Sequence, residues 1–153
     1  NPVTTETLVQ LTLGAPQIIY NGGLLLAPIR HFDSGNKRPG LPPDVSALVR
    51  SVKNNRVDLE LVNLNAWEDR TAVVQAGSLG EHRFTSVKYK RLSSQYPGPV
   101  GAYRADPVKT KTERTEVSGR SIEVNLPAGS RIRLKLGLER GAGTPSYQFP
   151  WEA

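Results

Sequence analysis

An all-β fold, an antiparallel sandwich or jelly roll of about eight strands with at most one short helical turn, is what three observations on the sequence predict. Apolar and polar side chains alternate at period two in several segments. Clusters rich in Asn, Gly and Pro separate those segments, and 14 glycines with 12 prolines punctuate the 153 residues. Alternation of this kind gives strands with one wet face, and the clusters supply the turns between them.

The elements follow in order. Val9, Leu11 and Leu13 alternate with Gln10 and Thr12, which predicts a first strand. Asn21-Gly22-Gly23 then separates residues 17–20 from the apolar run 24–32, and Asn-Gly tolerates the positive φ of a two-residue hairpin. Residues 33–43, with three prolines and two glycines, read as a long loop. Asp44 could cap one helical turn before the β-branched residues that follow favour strand over 47–52. Lys53-Asn54-Asn55-Arg56 turns that strand back into 57–64, where Val57, Leu59 and Leu61 alternate with Asp58 and Glu60. Residues 65–69 link to a strand at 71–76, Gly77 to Gly80 make a break, and 83–91 supply another strand. Residues 92–120 lack periodicity and read as a long basic loop, of a length that in a small domain usually serves function. Ile122, Val124 and Leu126 lie on one side of the next strand, Pro127-Ala128-Gly129-Ser130 turns, and Ile132, Leu134, Leu136 and Leu138 close the pattern against Arg131, Arg133 and Lys135.

The length suits one domain spanning 1–153. The sequence starts at Asn1 and contains no Met, so a module or fragment of a larger protein is expected. No stretch reaches the roughly 18 apolar residues of a membrane span. Without cysteine there is no disulfide, thiol nucleophile or thiolate-bound zinc. Localisation stays open, a secreted or periplasmic setting being favoured over the cytoplasm. The net charge of +6 is uneven: residues 1–80 carry seven basic and seven acidic side chains, and 81–153 carry thirteen and seven.

The chemistry-bearing residues are few. His31-Phe32-Asp33 sets a histidine and a carboxylate on one side of an extended strand, and Glu81-His82 forms a second pair, but neither spacing is a metal signature. Gly77-Ser78-Leu79-Gly80 lacks the strand-turn-helix setting of a nucleophile elbow, and no phosphate-binding glycine motif opens a helix. Asp58, Glu60 and Glu123 alternate with apolar residues and are expected on solvated faces, away from the paired-acid geometry of a glycosidase. No catalytic set, metal or cofactor is therefore expected. The binding candidates are Trp67, whose ring should fold over the core edge, the trio Glu81, His82 and Arg83, and Tyr96, Tyr103 and Arg104 in the basic stretch. Between His82 and Arg120 lie nine basic and three acidic residues with three tyrosines interleaved, a composition that could contact an anionic polymer. No nucleic-acid motif accompanies it, and a solvated strand face explains Arg131, Arg133 and Lys135. Tyr147, Phe149 and Trp151 lie in a Pro-bounded tail too apolar to float, so the tail should pack on the sandwich or on a neighbouring domain.

Leu126-Pro127-Ala128-Gly129-Ser130 with its flanking strands, together with residues 57–75, resembles the C-terminal β-sandwich modules that follow catalytic domains in bacterial carbohydrate-active enzymes. In those modules a comparable turn precedes the last strand, and the resemblance covers about half the chain. It implies a non-catalytic accessory module that packs against a catalytic domain or subunit, or presents carbohydrate to it, and it transfers no catalytic residue. A stand-alone protein binding an acidic polysaccharide or nucleic acid through residues 92–120 is the alternative. A small subunit completing another chain's active site through Glu81, His82 and Arg83 is the outsider.

Overall fold

The period-two segments pair into two antiparallel sheets that face each other across a dry interior. A computed structural model describes residues 4–16, 26–92 and 110–152. Among them are one helix, α1 (Thr4–Leu13), and nine strands: β1 (Ile29–Asp33), β2 (Arg38–Pro39), β3 (Val45–Lys53), β4 (Arg56–Asn63), β5 (Arg70–Ala76), β6 (Arg83–Leu92), β7 (Thr110–Gly119), β8 (Ser121–Leu126) and β9 (Arg131–Glu139). One sheet has the order β2-β1-β5-β8 and the other β3-β4-β9-β6-β7. The all-β sandwich expected from the pattern is the fold, with nine strands rather than eight.

The interior is built by the alternating residues. Ile29, Val74, Ala76, Val124 and Leu126 from the four-stranded sheet meet Val57, Leu59, Leu61, Phe84, Leu134, Leu136 and Leu138 from the five-stranded one. Each such aliphatic side chain stabilises the fold by roughly 1.5–3 kcal/mol when fully buried. Where the chain crosses from β4 to β5, Asn63 is buried and its Nδ2 lies 2.9–3.2 Å from the carbonyls of Glu68, Leu126 and Pro127, while its Oδ1 accepts the Asn65 N–H. A buried amide bonded on both ends ties the two sheets at this end of the molecule. The hairpin expected at Asn54-Asn55 joins β3 to β4, but the one expected at Pro127 to Ser130 is corrected: β8 and β9 lie in different sheets, and this turn carries the chain across from one to the other.

Four further expectations are corrected. Residues 9–13 are helix, not strand: Val9, Thr12 and Leu13 recur at the i, i+3, i+4 spacing and line the side turned to the sheets, while Leu8 and Leu11 face outward. The period-two count saw Leu11 and missed that stripe. The helix ends at Gly14, whose φ of +72° suits glycine and whose N–H donates to the Gln10 carbonyl. Asp44 caps no helical turn; it takes a φ of +62° in the turn that leads into β3. The loop at 33–43 contains the short strand β2, which pairs with β1. The supposed loop 92–120 is strand β7 over its last third, paired along β6. The strand expected at 17–20 and the Asn21-Gly22-Gly23 hairpin lie outside the described residues.

The C-terminal tail packs on the sandwich, one of the two outcomes foreseen for it. Phe149 and Trp151 stack with centroids 4.9 Å apart, and both meet the buried ring of Phe32 edge-on, at 6.1 and 5.9 Å. Arg30 covers Phe32 at 5.0 Å from the ring centre. Tyr147 stays 90% exposed.

Candidate functional site

Glu81 and His82 organise a loop. The Glu81 carboxylate accepts the Leu79 N–H at 2.8 Å and sits over Gly77, whose φ of +85° and lack of a β-carbon make room for it. His82 Nδ1 accepts the Gly141 N–H at 3.1 Å, and its Nε2 lies 3.9 Å from Glu81. The same loop holds the tail through Gly143 N–H to the Glu81 carbonyl and Ser146 N–H to the Leu79 carbonyl. Both side chains are therefore engaged in backbone contacts. Arg83 opens β6 and is exposed. The structure thus brings Glu81 and His82 together, away from Trp67 in chain and in contacts. Tyr96, Tyr103 and Arg104 lie outside the described residues.

The other acid–histidine pair is also structural. His31 is buried on the core side of β1, and its Nε2 lies 2.7 Å from the Thr12 carbonyl near the helix C-terminus. That acceptor requires Nε2 to carry the hydrogen, which leaves Nδ1 bare and without a partner among the described residues. Burial pushes the His31 pKa down from 6.5 to about 4, against a smaller upward effect of the Thr12 contact. Asp33 accepts from Asn36 and Arg38; these bonds outweigh the upward effect of burial and hold its carboxyl below the usual range. A cavity of about 570 Å³ is lined by Asp33, Asp69, Arg70 and Glu123 among others. A general acid at neutral pH needs a raised carboxyl pKa. Asp33 moves the other way, Asp69 accepts the Ala128 N–H, and Arg70 pairs with Asp44 and Glu68. Among the described residues no three His, Asp or Glu side chains converge as metal ligands.

Two surfaces remain with unspent groups. The first is Trp67, which the structure corrects: its ring does not fold over the core edge but stands 90% exposed. The Asn65 side-chain oxygen accepts the N–H groups of Trp67 and Glu68, a fixed turn that projects the ring outward. The next turn braces it, since Gly129 N–H donates to the Asn65 carbonyl at 2.7 Å.

The second is the outer face of the five-stranded sheet, which sequence reasoning passed over as a wet strand face. Lys135 on β9 is directly opposite Lys88 on β6, and Lys88 is directly opposite Arg114 on β7. Such like-charged cross-strand neighbours cost stability. Lys88, Lys90 and Lys135 are exposed, and among the described residues none forms a salt bridge. The arginines differ. Glu60, expected in solvent, has a side chain only 11% exposed, beneath Arg133 at 2.7 Å, Arg50 at 3.1 Å and Arg131 at 3.7 Å. Burial would raise its pKa, but the Arg133 bond and the charges of Arg133, Arg131 and Arg50 outweigh that and lower it. Arg114 pairs with Glu116 at 2.8 Å. On this face, among the described residues, the guanidinium groups of Arg50, Arg114, Arg131 and Arg133 are held by carboxylates and the ammonium groups form no salt bridge, Asp58 standing opposite Lys135 on β4. The signal for it was the Lys88, Lys90 and Lys135 alternation, but only strand register sets the first and last side by side.

Compared with known proteins, the chain matches no family model, no curated protein and no solved structure. Among the described residues no helix is long and apolar enough to cross a membrane.

Proposed function

We propose that this chain is a non-catalytic carbohydrate-binding β-sandwich, an accessory module that packs against the catalytic domain or subunit of a carbohydrate-active enzyme. The observation that carries the reading is Trp67: a large ring held outward by a fixed turn leaves apolar area in water that the fold gains nothing from exposing. Flat rings of this kind stack on the apolar faces of sugars. Support comes from the ionisable groups, since His31, Asp33, Glu60, Glu81 and His82 are each engaged in contacts within the fold. The Leu126 to Ser130 turn adds the resemblance to accessory modules of bacterial enzymes.

The test is a glycan panel, with binding followed by Trp fluorescence and calorimetry on the wild type and Trp67→Ala. Loss of about 1–3 kcal/mol of affinity is expected, that being the scale of one aromatic stacking platform. Unchanged affinity in the variant, or turnover of any panel glycan by the isolated chain, refutes the reading.

A further inference from the structure

We infer that the outer face of the five-stranded sheet is the docking surface for an acidic polysaccharide, which gives the carbohydrate-binding reading its ligand class and rests on that reading. Neighbouring strands set the row Lys135, Lys88 and Arg114 at about 4.8 Å intervals, and alternate residues along β6 set Lys88 and Lys90 about 6.6 Å apart. Three ammonium groups thus lie on one face and form no salt bridge among the described residues; Asp58, directly opposite Lys135 on β4, is held by Arg56 and Ser51. Setting Lys88 between Lys135 and Arg114 is a cost, one that Asp58 offsets only on the far side of Lys135, and a bound string of anions removes it. The face is linked to Trp67: the turn that braces the Trp67 loop opens directly into β9, the strand of Arg131, Arg133 and Lys135.

The same surface argues against nucleic acid. Phosphate and base edges are read best by the planar fork of arginine, and here Arg50, Arg131 and Arg133 are turned onto Glu60 while Arg114 is on Glu116. Single strands also need aromatic platforms, and the outward described positions of β6, β7 and β9 carry none. Free ammonium groups are compact point charges that accept carboxylate or sulfate in many orientations.

The experiment uses the whole chain with polygalacturonate, dextran sulfate, a neutral glucan and a short DNA duplex, titrated at several salt concentrations. Lys88→Gln with Lys135→Gln is compared with Lys37→Gln, which removes one charge in the turn beside β2. For polygalacturonate or dextran sulfate the wild type should lose affinity steeply with salt, and the double variant should flatten the slope of log K against log salt by about two. Lys37→Gln should leave that slope unchanged, and neutral-glucan binding should be the same in all three proteins. Retention of the slope by the double variant, salt-indifferent binding of both polysaccharides, no preference for them over the glucan, or tighter binding of the duplex overturns the inference. A polysaccharide preference that survives Trp67→Ala undiminished overturns the carbohydrate-stacking reading instead, so the two failures are told apart.

Discussion

Protonating His31 should destabilise the whole fold, in a pH window set by its burial, while the contact to Thr12 is kept because the added proton goes to Nδ1. In the native chain the imidazole is neutral, donates from Nε2 to the Thr12 carbonyl and buries a bare Nδ1 that has no partner among the described residues. The unfolded chain binds the proton near pH 6.5 and the folded chain only near 4. Stability is therefore complete above pH 6.5 and falls as the pH drops toward 4, where the loss levels off at about 3 kcal/mol. At pH 5 about 2 kcal/mol is already gone. Asp33 and Glu60, whose pKa values are lowered, contribute stability that is lost only at more acid pH, below the range where unfolded carboxylates titrate. Urea unfolding at pH 7.5 and pH 5 isolates the histidine: with a slope of about 2 kcal/mol/M the midpoint should fall by about 1 M. His31→Gln keeps a donor for Thr12, cannot titrate, and should remove most of that fall. Equal midpoints at the two pH values, or the same fall in the variant, refute the assignment. The ring can also be read directly by NMR without a substitution; titration of His31 near 6.5 would likewise refute it.

Two further outcomes test the packing. Trp151→Ala removes the stacked partner of Phe149 and one edge contact to Phe32, worth about 2 kcal/mol together with its buried area, so the melting temperature should drop by roughly 4–8 °C. An unchanged melting temperature would show the tail to be an ornament on the fold. Glu60→Gln leaves Arg50, Arg131 and Arg133 without their shared carboxylate. All three guanidinium groups are half exposed, which limits the cost to about 1 kcal/mol by denaturant unfolding. Polygalacturonate should bind this variant more tightly than the wild type, because the face gains a positive charge.

The strands that build the core were legible because each obeys one rule. Along β4 and β9 the alternating Val57, Leu59, Leu61, Leu134, Leu136 and Leu138 are buried in the interior, so there the period-two signal and the structure coincide. The failures fall where a second rule competes. At Val9 to Leu13 an apolar set satisfies period two and the helical spacing at once, and the deciding contact, Thr12 to His31, is 19 residues away. In β7 the polar run Thr112 to Glu116 carries no alternation; it is a strand because β6 pairs with it, not because of its own side chains.

The site was less legible for a related reason. A strand whose outward residues are Arg131, Arg133 and Lys135 reads identically whether those charges face water or a ligand, since solubility and polyanion binding ask for the same residue types at the same spacing. What separates the two is which cations already have partners, and that depends on contacts between residues far apart in sequence. Glu60 takes three arginines from β3 and β9, while Lys88 and Lys135, 47 positions apart in the sequence, meet through strand register and form no salt bridge among the described residues, Asp58 opposite Lys135 being held by Arg56. If solvation were the only demand on this face, exchanging Lys88 for glutamate would set opposite charges beside Lys135 and Arg114, the arrangement that stability alone favours, whereas Lys135 already faces Asp58 on β4. Lys88, set between Lys135 and Arg114, is therefore the residue on which the proposed polyanion surface chiefly rests, and the arginine cluster beside it is where stability has been served.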